Sequence, residues 1–127
     1  MSQTPPLPTA ILVVEDDLLV RDMVVEILRD AGFTVCDAAC AEDALKMLAK
    51  RHVDAVVTDV DMPGEVDGVS LAWRISEWKP EIGVVLTSGR TPRPFPQGMK
   101  FVAKPFTARD LVRSVMTLLG PRLYATS

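Results

Sequence analysis

From Ala55 to Val60 the chain reads AVVTDV, a mostly β-branched run in which Asp59 is the one charged residue, near the C-terminal end. Such a run fits a strand buried on both faces of a sheet. Met62-Pro63-Gly64 then turns the chain out of the strand. A carboxylate at such a place is costly to bury unless a cation, a metal or a hydrogen-bonding group compensates it. In open α/β sheets ligands bind outside the carboxyl ends of the strands, which is where Asp59 falls.

The remaining pattern supplies that sheet. Ala10–Val14 (AILVV), Phe33–Ala38, Ile82–Leu86 (IGVVL) and Lys100–Ala103 (KFVA) read as further strands. Between them, apolar residues at helical spacing give helices over Leu18–Ala31, from Ala41 to Lys50, and around Leu71–Trp78. A last helix starts at Thr107-Ala108-Arg109-Asp110, a capping box, and is expected to stop at Gly120-Pro121. Alternating strands and helices require right-handed crossovers and a parallel sheet covered on both faces. The expected fold is a doubly wound α/β sandwich with five parallel strands in flavodoxin-like order 2-1-3-4-5. One crossover is too short: Ser88–Met99 contains Pro92, Pro94 and Pro96. Proline is excluded from helix interiors, so the fourth helix is expected to be missing or reduced to a turn.

With 127 residues the chain makes one domain, expected over 10–120, with a proline-rich disordered leader (1–9) and a short tail (121–127). No apolar run approaches the roughly 20 residues of a membrane span, and residues 1–8 lack the pattern of a secretory signal. A cytoplasmic location and no membrane partner are expected. Cys36 and Cys40 match neither a redox C-x-x-C nor a zinc motif and read as free thiols. His52, the only histidine, reads as a loop residue. Both tryptophans, Trp73 and Trp78, read as cover for the sheet or its rim.

Charge divides along the chain. Residues 1–88 carry 16 acidic and 7 basic side chains, whereas residues 89–127 carry 1 acidic and 7 basic. This suggests an acidic pocket at one edge and a basic, protein-facing side built from Arg90, Arg93, Lys100, Arg109 and Arg113. Without a helix-turn-helix or an aromatic platform, nucleic acid is not an expected partner.

Parallel topology brings several polar strand ends to one edge: Glu15 and Asp16, Asp59, Thr87, and Lys104. Three carboxylates there repel one another, by about 4 kcal/mol per pair at roughly 4 Å and an effective dielectric of about 20. A divalent cation relieves that repulsion. With oxygen ligands and no nearby Cys or His, Mg²⁺ is the natural choice. A carboxylate nucleophile beside Mg²⁺, a lysine and a hydroxyl suits phosphoryl transfer.

The set Glu15-Asp16, Asp59 with Met62-Pro63 and Asp67-Gly68, Thr87-Ser88, and Lys104-Pro105-Phe106 resembles the receiver domain of bacterial two-component response regulators, across Ala10–Leu119. The resemblance implies that Asp59 accepts phosphate from a histidine kinase or a phosphotransfer protein. It implies Mg²⁺ held by Glu15, Asp16, Asp59 and the backbone carbonyl of Asp61. Thr87 would bond a phosphoryl oxygen, Lys104 would pair with the phosphate, and Lys104-Pro105 would be cis. Thr87 and Phe101 would be the switch pair, the Phe101 rotamer following Thr87. Such a module is a signalling domain rather than a turnover enzyme. It would signal by protein contact or drain phosphate from a kinase, here as a stand-alone receiver.

Three features depart from the family pattern. The loop from Met62-Pro63 to Asp67-Gly68 has one extra residue (Gly64-Glu65-Val66), Asp61 adds a negative charge two residues past the acceptor, and the fourth helix is broken by prolines. That helix belongs to the family's common output surface. Two other readings compete. Asp59-Val60-Asp61 also resembles the D-x-D of haloacid-dehalogenase-type phosphatases, with Asp59 as nucleophile and Asp61 as acid/base, and a pseudo-receiver scaffold would bind partners without phosphate.

Overall fold

Hydrophobic alternation becomes two layers of core around a single sheet. The computed structural model describes residues 9–123, so most of the expected leader and the end of the expected tail lie outside the described residues. The strands are β1 (Ala10–Val14), β2 (Thr34–Ala38), β3 (Ala55–Asp59), β4 (Gly83–Ser88) and β5 (Lys100–Ala103). All pair in parallel, in the order β2-β1-β3-β4-β5. The helices are α1 (Leu18–Asp30), α2 (Ala41–Lys50), α3 (Gly68–Trp78) and α4 (Ala108–Leu123).

Period-two alternation along the strands sorts the core. Leu12, Val14, Val56, Val84 and Leu86 face α2 and α3, packing with Ala44, Leu48, Leu71 and Ile75. Ile11, Val13, Val57 and Val85 face the other way, with Val24 and Leu28 of α1 and Leu111, Val115 and Leu119 of α4. Burying each such Val, Leu or Ile contributes about 1.5–3 kcal/mol, which fixes the register of every strand end. All five residues of β3 are buried.

Local signals set the helix ends. Asp17 caps α1 by accepting from the Leu19 and Val20 amides at 2.9 and 3.2 Å, and Gly32, at φ +102°, takes the chain out of that helix. Asp67 caps α3 by accepting from the Ser70 amide at 2.9 Å. The capping box forms: the Asp110 amide donates to Thr107 Oγ1 at 3.1 Å and the Thr107 amide to Asp110 Oδ2 at 3.4 Å. The last helix does not stop at Gly120-Pro121 but continues to Leu123. Pro121 costs that last turn a backbone bond, yet the helix runs two residues past it.

No helix lies between β4 and β5. The segment crosses the α3 side as an irregular strap instead. Pro96 is buried, and Phe95 and Met99 pack against the α2/α3 core with Phe101. Arg93 donates to both Asp67 oxygens at 2.6 and 3.0 Å and to Ser70 Oγ at 3.0 Å. The Trp73 indole donates to the Pro94 carbonyl at 3.1 Å. Of the expected cover for the sheet or its rim, the tryptophans do not supply the first, because Leu71, Ala72 and Ile75 form the inward stripe of α3. Trp73 and Trp78 remain 45% and 47% exposed, and the Lys79 ammonium lies 5.0 Å from the Trp78 ring centroid.

The start of α3 touches the end of β3. A Cβ on Gly68 would run into the Asp59 carbonyl oxygen and lie 2.7 Å from Val60 Cα, both backbone atoms that cannot step aside. Gly68→Ala is therefore expected to cost about 3 kcal/mol, within the range for overpacking, seen as a lower urea midpoint. An unchanged midpoint would contradict this packing. The strap has its own pH signature. Hydrogen bonds from Arg93 hold the Asp67 carboxyl down at about 2 against an ordinary 3.8. A depressed carboxyl contributes stability that is complete above its unfolded value and lost as pH falls through the folded one. With Asp67 30% and Arg93 53% exposed, solvent screening reduces that contribution to about 1 kcal/mol. Acid unfolding below pH 3.8 should thus be less steep in Arg93→Ala than in the parent, as read by circular dichroism.

Candidate functional site

The carboxyl ends of β1, β3, β4 and β5 meet at one edge. Beyond β1, Glu15 is buried and Asp16 exposed; at the end of β3, Asp59 is only 6% exposed. One carboxylate oxygen from each of the three lies within 4.8 Å of the others. Thr87, also buried, sits opposite Asp59 in the β3–β4 register, and its carbonyl accepts the Val60 amide at 2.8 Å. Lys104 follows β5, where its amide donates to the Ser88 carbonyl at 2.8 Å, and the Lys104–Pro105 peptide is cis.

The Lys104 ammonium bridges the two buried acids, 3.1 Å from Glu15 Oε1 and 3.3 Å from Asp59 Oδ1. The Asp61 amide donates to Asp59 Oδ1 at 3.4 Å, and the Asp17 amide donates to Glu15 Oε2 at 3.2 Å. Asp17 thus caps α1 while Glu15 and Asp16 take part in the acidic edge. Arg21 braces this corner, donating to the Glu15 carbonyl at 2.8 Å and pairing with Asp37 at 3.0 Å.

Burial pushes the Glu15 and Asp59 carboxyls above their ordinary values, against the pull of Lys104. Burial also pulls the Lys104 ammonium down, but its bond to Glu15 and the charges of Asp59 and Glu15 outweigh that and raise it. Both directions have one origin: a single cation is shared by two desolvated acids. Three carboxylates against one ammonium leave an excess of two negative charges. That excess, carried by oxygen donors alone, fits one hard divalent cation such as Mg²⁺.

Other expected residues are distributed differently. Phe101 is partly buried in the α2/α3 core, opposite Leu86 in the β4–β5 register. Of the five basic residues expected on a partner-facing side, Lys100, Arg109 and Arg113 are exposed there, but Arg90 and Arg93 turn to the acidic edge. The reason is the missing helix, which lets the strap run along the β3–α3 loop. Arg90 Nη2 lies 2.9 Å from Asp61 Oδ1, and the Ser88 hydroxyl donates to Asp61 Oδ2 at 3.1 Å. The bond from Arg90 holds the Asp61 carboxyl below its ordinary value. Sequence reading missed this Ser88–Asp61–Arg90 group, whose members are 27 and 29 residues apart in chain order with no periodic signal joining them. His52 is exposed and pairs with Asp54 at 3.0 Å, and Cys36 and Cys40 are free thiols; none of these belongs to the edge.

Comparison with known proteins converges on one family. Residues 11–116 match the response regulator receiver domain. The C4-dicarboxylate transport transcriptional regulatory protein DctD of Rhizobium meliloti is 33% identical over 111 residues, covering 83% of this chain and 24% of that protein. The chain thus spans about a quarter of that relative's length. The response regulator receiver protein CpdR of Brucella abortus is 31% identical over 115 residues, covering 86% of this chain and 95% of that one. The crystal structure of the response regulator TrrA from Thermotoga maritima, in complex with Mg²⁺-BeF, superposes with a TM-score of 0.79 at 27% identity, covering 87% of this chain and 99% of that one. With five parallel strands in this order and an acidic group at their carboxyl edge, the chain belongs to the response regulator receiver domains of two-component signalling.

Proposed function

We propose that this protein is a phosphorylatable signalling module in which Asp59 accepts a phosphoryl group from a histidine kinase or a phosphotransfer protein. The observation that carries the reading is the shared burial of Asp59 and Glu15 around the Lys104 ammonium, with Asp16 beside them. In the transfer, an Asp59 carboxylate oxygen forms a bond to phosphorus. The N–P bond of the donor phosphohistidine breaks, leaving its electron pair on the imidazole nitrogen. Attack by water on the acyl phosphate then returns the carboxylate and inorganic phosphate.

Each neighbour has a part in this chemistry. Lys104, already held against Asp59, is placed to neutralise a phosphoryl oxygen, and the Thr87 hydroxyl is on the adjacent strand to donate to another. Glu15, Asp16, Asp59 and the Asp61 carbonyl would hold Mg²⁺, which when bound supplies the positive charge that a transferring phosphoryl group needs. The complex named for TrrA supports that choice of metal. Phe101, beside Leu86 next to Thr87, is the aromatic whose rotamer would report the phosphorylated state. Output runs by protein contact, with Lys100, Arg109 and Arg113 as the exposed basic side, or by draining phosphate from the kinase. No helix among the described residues is long and apolar enough to cross a membrane, and the reading entails a cytoplasmic protein with no nucleic-acid contact.

The module turns over no separate substrate. A phosphatase of the D-x-D kind is disfavoured because Ser88 and Arg90 already occupy both Asp61 oxygens, and the Arg90 bond favours the ionised carboxylate over the protonated form a general acid needs.

Acetyl phosphate with Mg²⁺ should label the parent, and both Asp59→Asn and chelation of the metal should abolish the label, measured by phosphate-affinity electrophoresis. Labelling that survives Asp59→Asn would overturn the assignment. Lys104→Met should slow labelling by about 10²-fold, the scale of losing one charge-stabilising group, while Mg²⁺ still binds.

A further inference from the structure

The strap between β4 and β5 carries a charge to the phosphorylation edge that the reading above does not use. Arg90 Nη2 lies 2.9 Å from Asp61 Oδ1, and the Ser88 hydroxyl donates to the other Asp61 oxygen at 3.1 Å. The same Ser88 oxygen accepts the Arg90 amide at 3.2 Å, so one hydroxyl joins the strap backbone to the Asp61 carboxylate. Asp61 is in turn tied to the acceptor, its amide donating to Asp59 Oδ1 at 3.4 Å. Both Asp61 oxygens are therefore engaged on the strap side, while its backbone faces Asp59.

The Arg90 side chain is 80% exposed and that of Asp61 46%, and such surface pairs contribute little to stability. The location is more informative than the strength. Glu15, Asp16 and Asp59 already exceed the charge of Lys104 by two. A fourth carboxylate turned into that set would strengthen its hold on a cation and repel an anionic phosphoryl donor.

We propose that Arg90 is a positioning residue for phosphoryl transfer, holding the Asp61 carboxylate outward with Ser88 so that Asp61 presents its backbone, and not its charge, to Asp59. The inference rests on Asp59 being the acceptor, and it assigns to the helix-less strap a task at the reaction edge. Arg90 does not touch the reacting atoms; it acts through Asp61. A merely structural arginine would, on removal, leave Mg²⁺ binding unchanged or weaken it. A residue that keeps a carboxylate away would, on removal, tighten it.

The test is a double-mutant cycle on the full chain, with Mg²⁺ alone titrated by calorimetry and acetyl phosphate labelling followed at saturating Mg²⁺. Arg90→Ala should bind Mg²⁺ about three- to tenfold more tightly and be labelled about tenfold more slowly. Arg90→Lys, which keeps the charge, should recover most of both. In an Asp61→Asn background, Arg90→Ala should change neither quantity by more than about twofold. Unchanged or weaker Mg²⁺ binding in Arg90→Ala would overturn the proposal, as would an equal effect with and without the Asp61 charge. Failure of the underlying reading is separate: the parent and variants would then show the expected Mg²⁺ affinities, yet none would take a label on Asp59.

Discussion

Two carboxylates under one ammonium govern this structure. Glu15 and Asp59 are nearly withdrawn from water, and Lys104 is the only cation within ion-pair distance of both among the described residues. Desolvation of that kind costs several kcal/mol per ion unless it is compensated, and a single lysine does not compensate two acids. The sheet bears the cost because Asp59 ends a strand whose other members are all apolar or β-branched and wholly buried. Moving Asp59 out to solvent would drag Val56 and Val57 out of the two core layers. The under-neutralised state is thus imposed by packing, and it leaves the edge with an excess of negative charge on oxygen donors alone.

The backbone is shaped to the same end. α3 begins directly against the Asp59 carbonyl, a contact only Gly68 allows, so the loop between them is held close to Asp59 from both sides. On its far side Arg93 and Trp73 tie the strap to α3, while Phe95 and Met99 supply apolar cover that a helix would otherwise bring. Thr87 lies one residue before the end of β4. Ser88 follows it immediately and is bonded both to Asp61 and to the strap. Through Ser88 the end of β4 is joined to the β3–α3 loop and to the strap, in a fold with no helix between β4 and β5.

What could be read from the chain alone divides along physical lines. β1 and β5 were legible to the residue as short apolar runs bounded by polar ends, and the parallel order followed from strands alternating with helices along the chain. The acidic edge was legible because parallel topology forces strand ends together. Position along α3 was harder: Trp73 and Trp78 are large and apolar, yet the helical phase set by Leu71, Ala72 and Ile75 turns them outward. The stop at Gly120-Pro121 failed because both breakers fall in the last turn of α4, where only two residues lie beyond the proline and a lost backbone bond affects little of the helix. The strap was the least legible part. Its prolines announce that no helix forms, but nothing in an aperiodic segment says where its arginines will land.

That last gap alters the meaning of the charge asymmetry. An excess of acid before residue 89 and of base after it suggested a pocket on one side and a partner surface on another. In the folded chain Arg90, Arg93 and Lys104 all return to the acidic half, meeting Asp61, Asp67, Glu15 and Asp59. Much of the asymmetry is therefore complementarity within one molecule: the later part of the sequence supplies the cations that let the earlier part gather its acids at a single edge. Of the five basic residues of the expected partner side, Lys100, Arg109 and Arg113 remain exposed on β5 and α4, a smaller and more localised basic set than the sequence suggested. A partner reading that surface would contact the elements that follow Thr87 in the sheet order, and would be screened from the acidic edge by the cations already bound there.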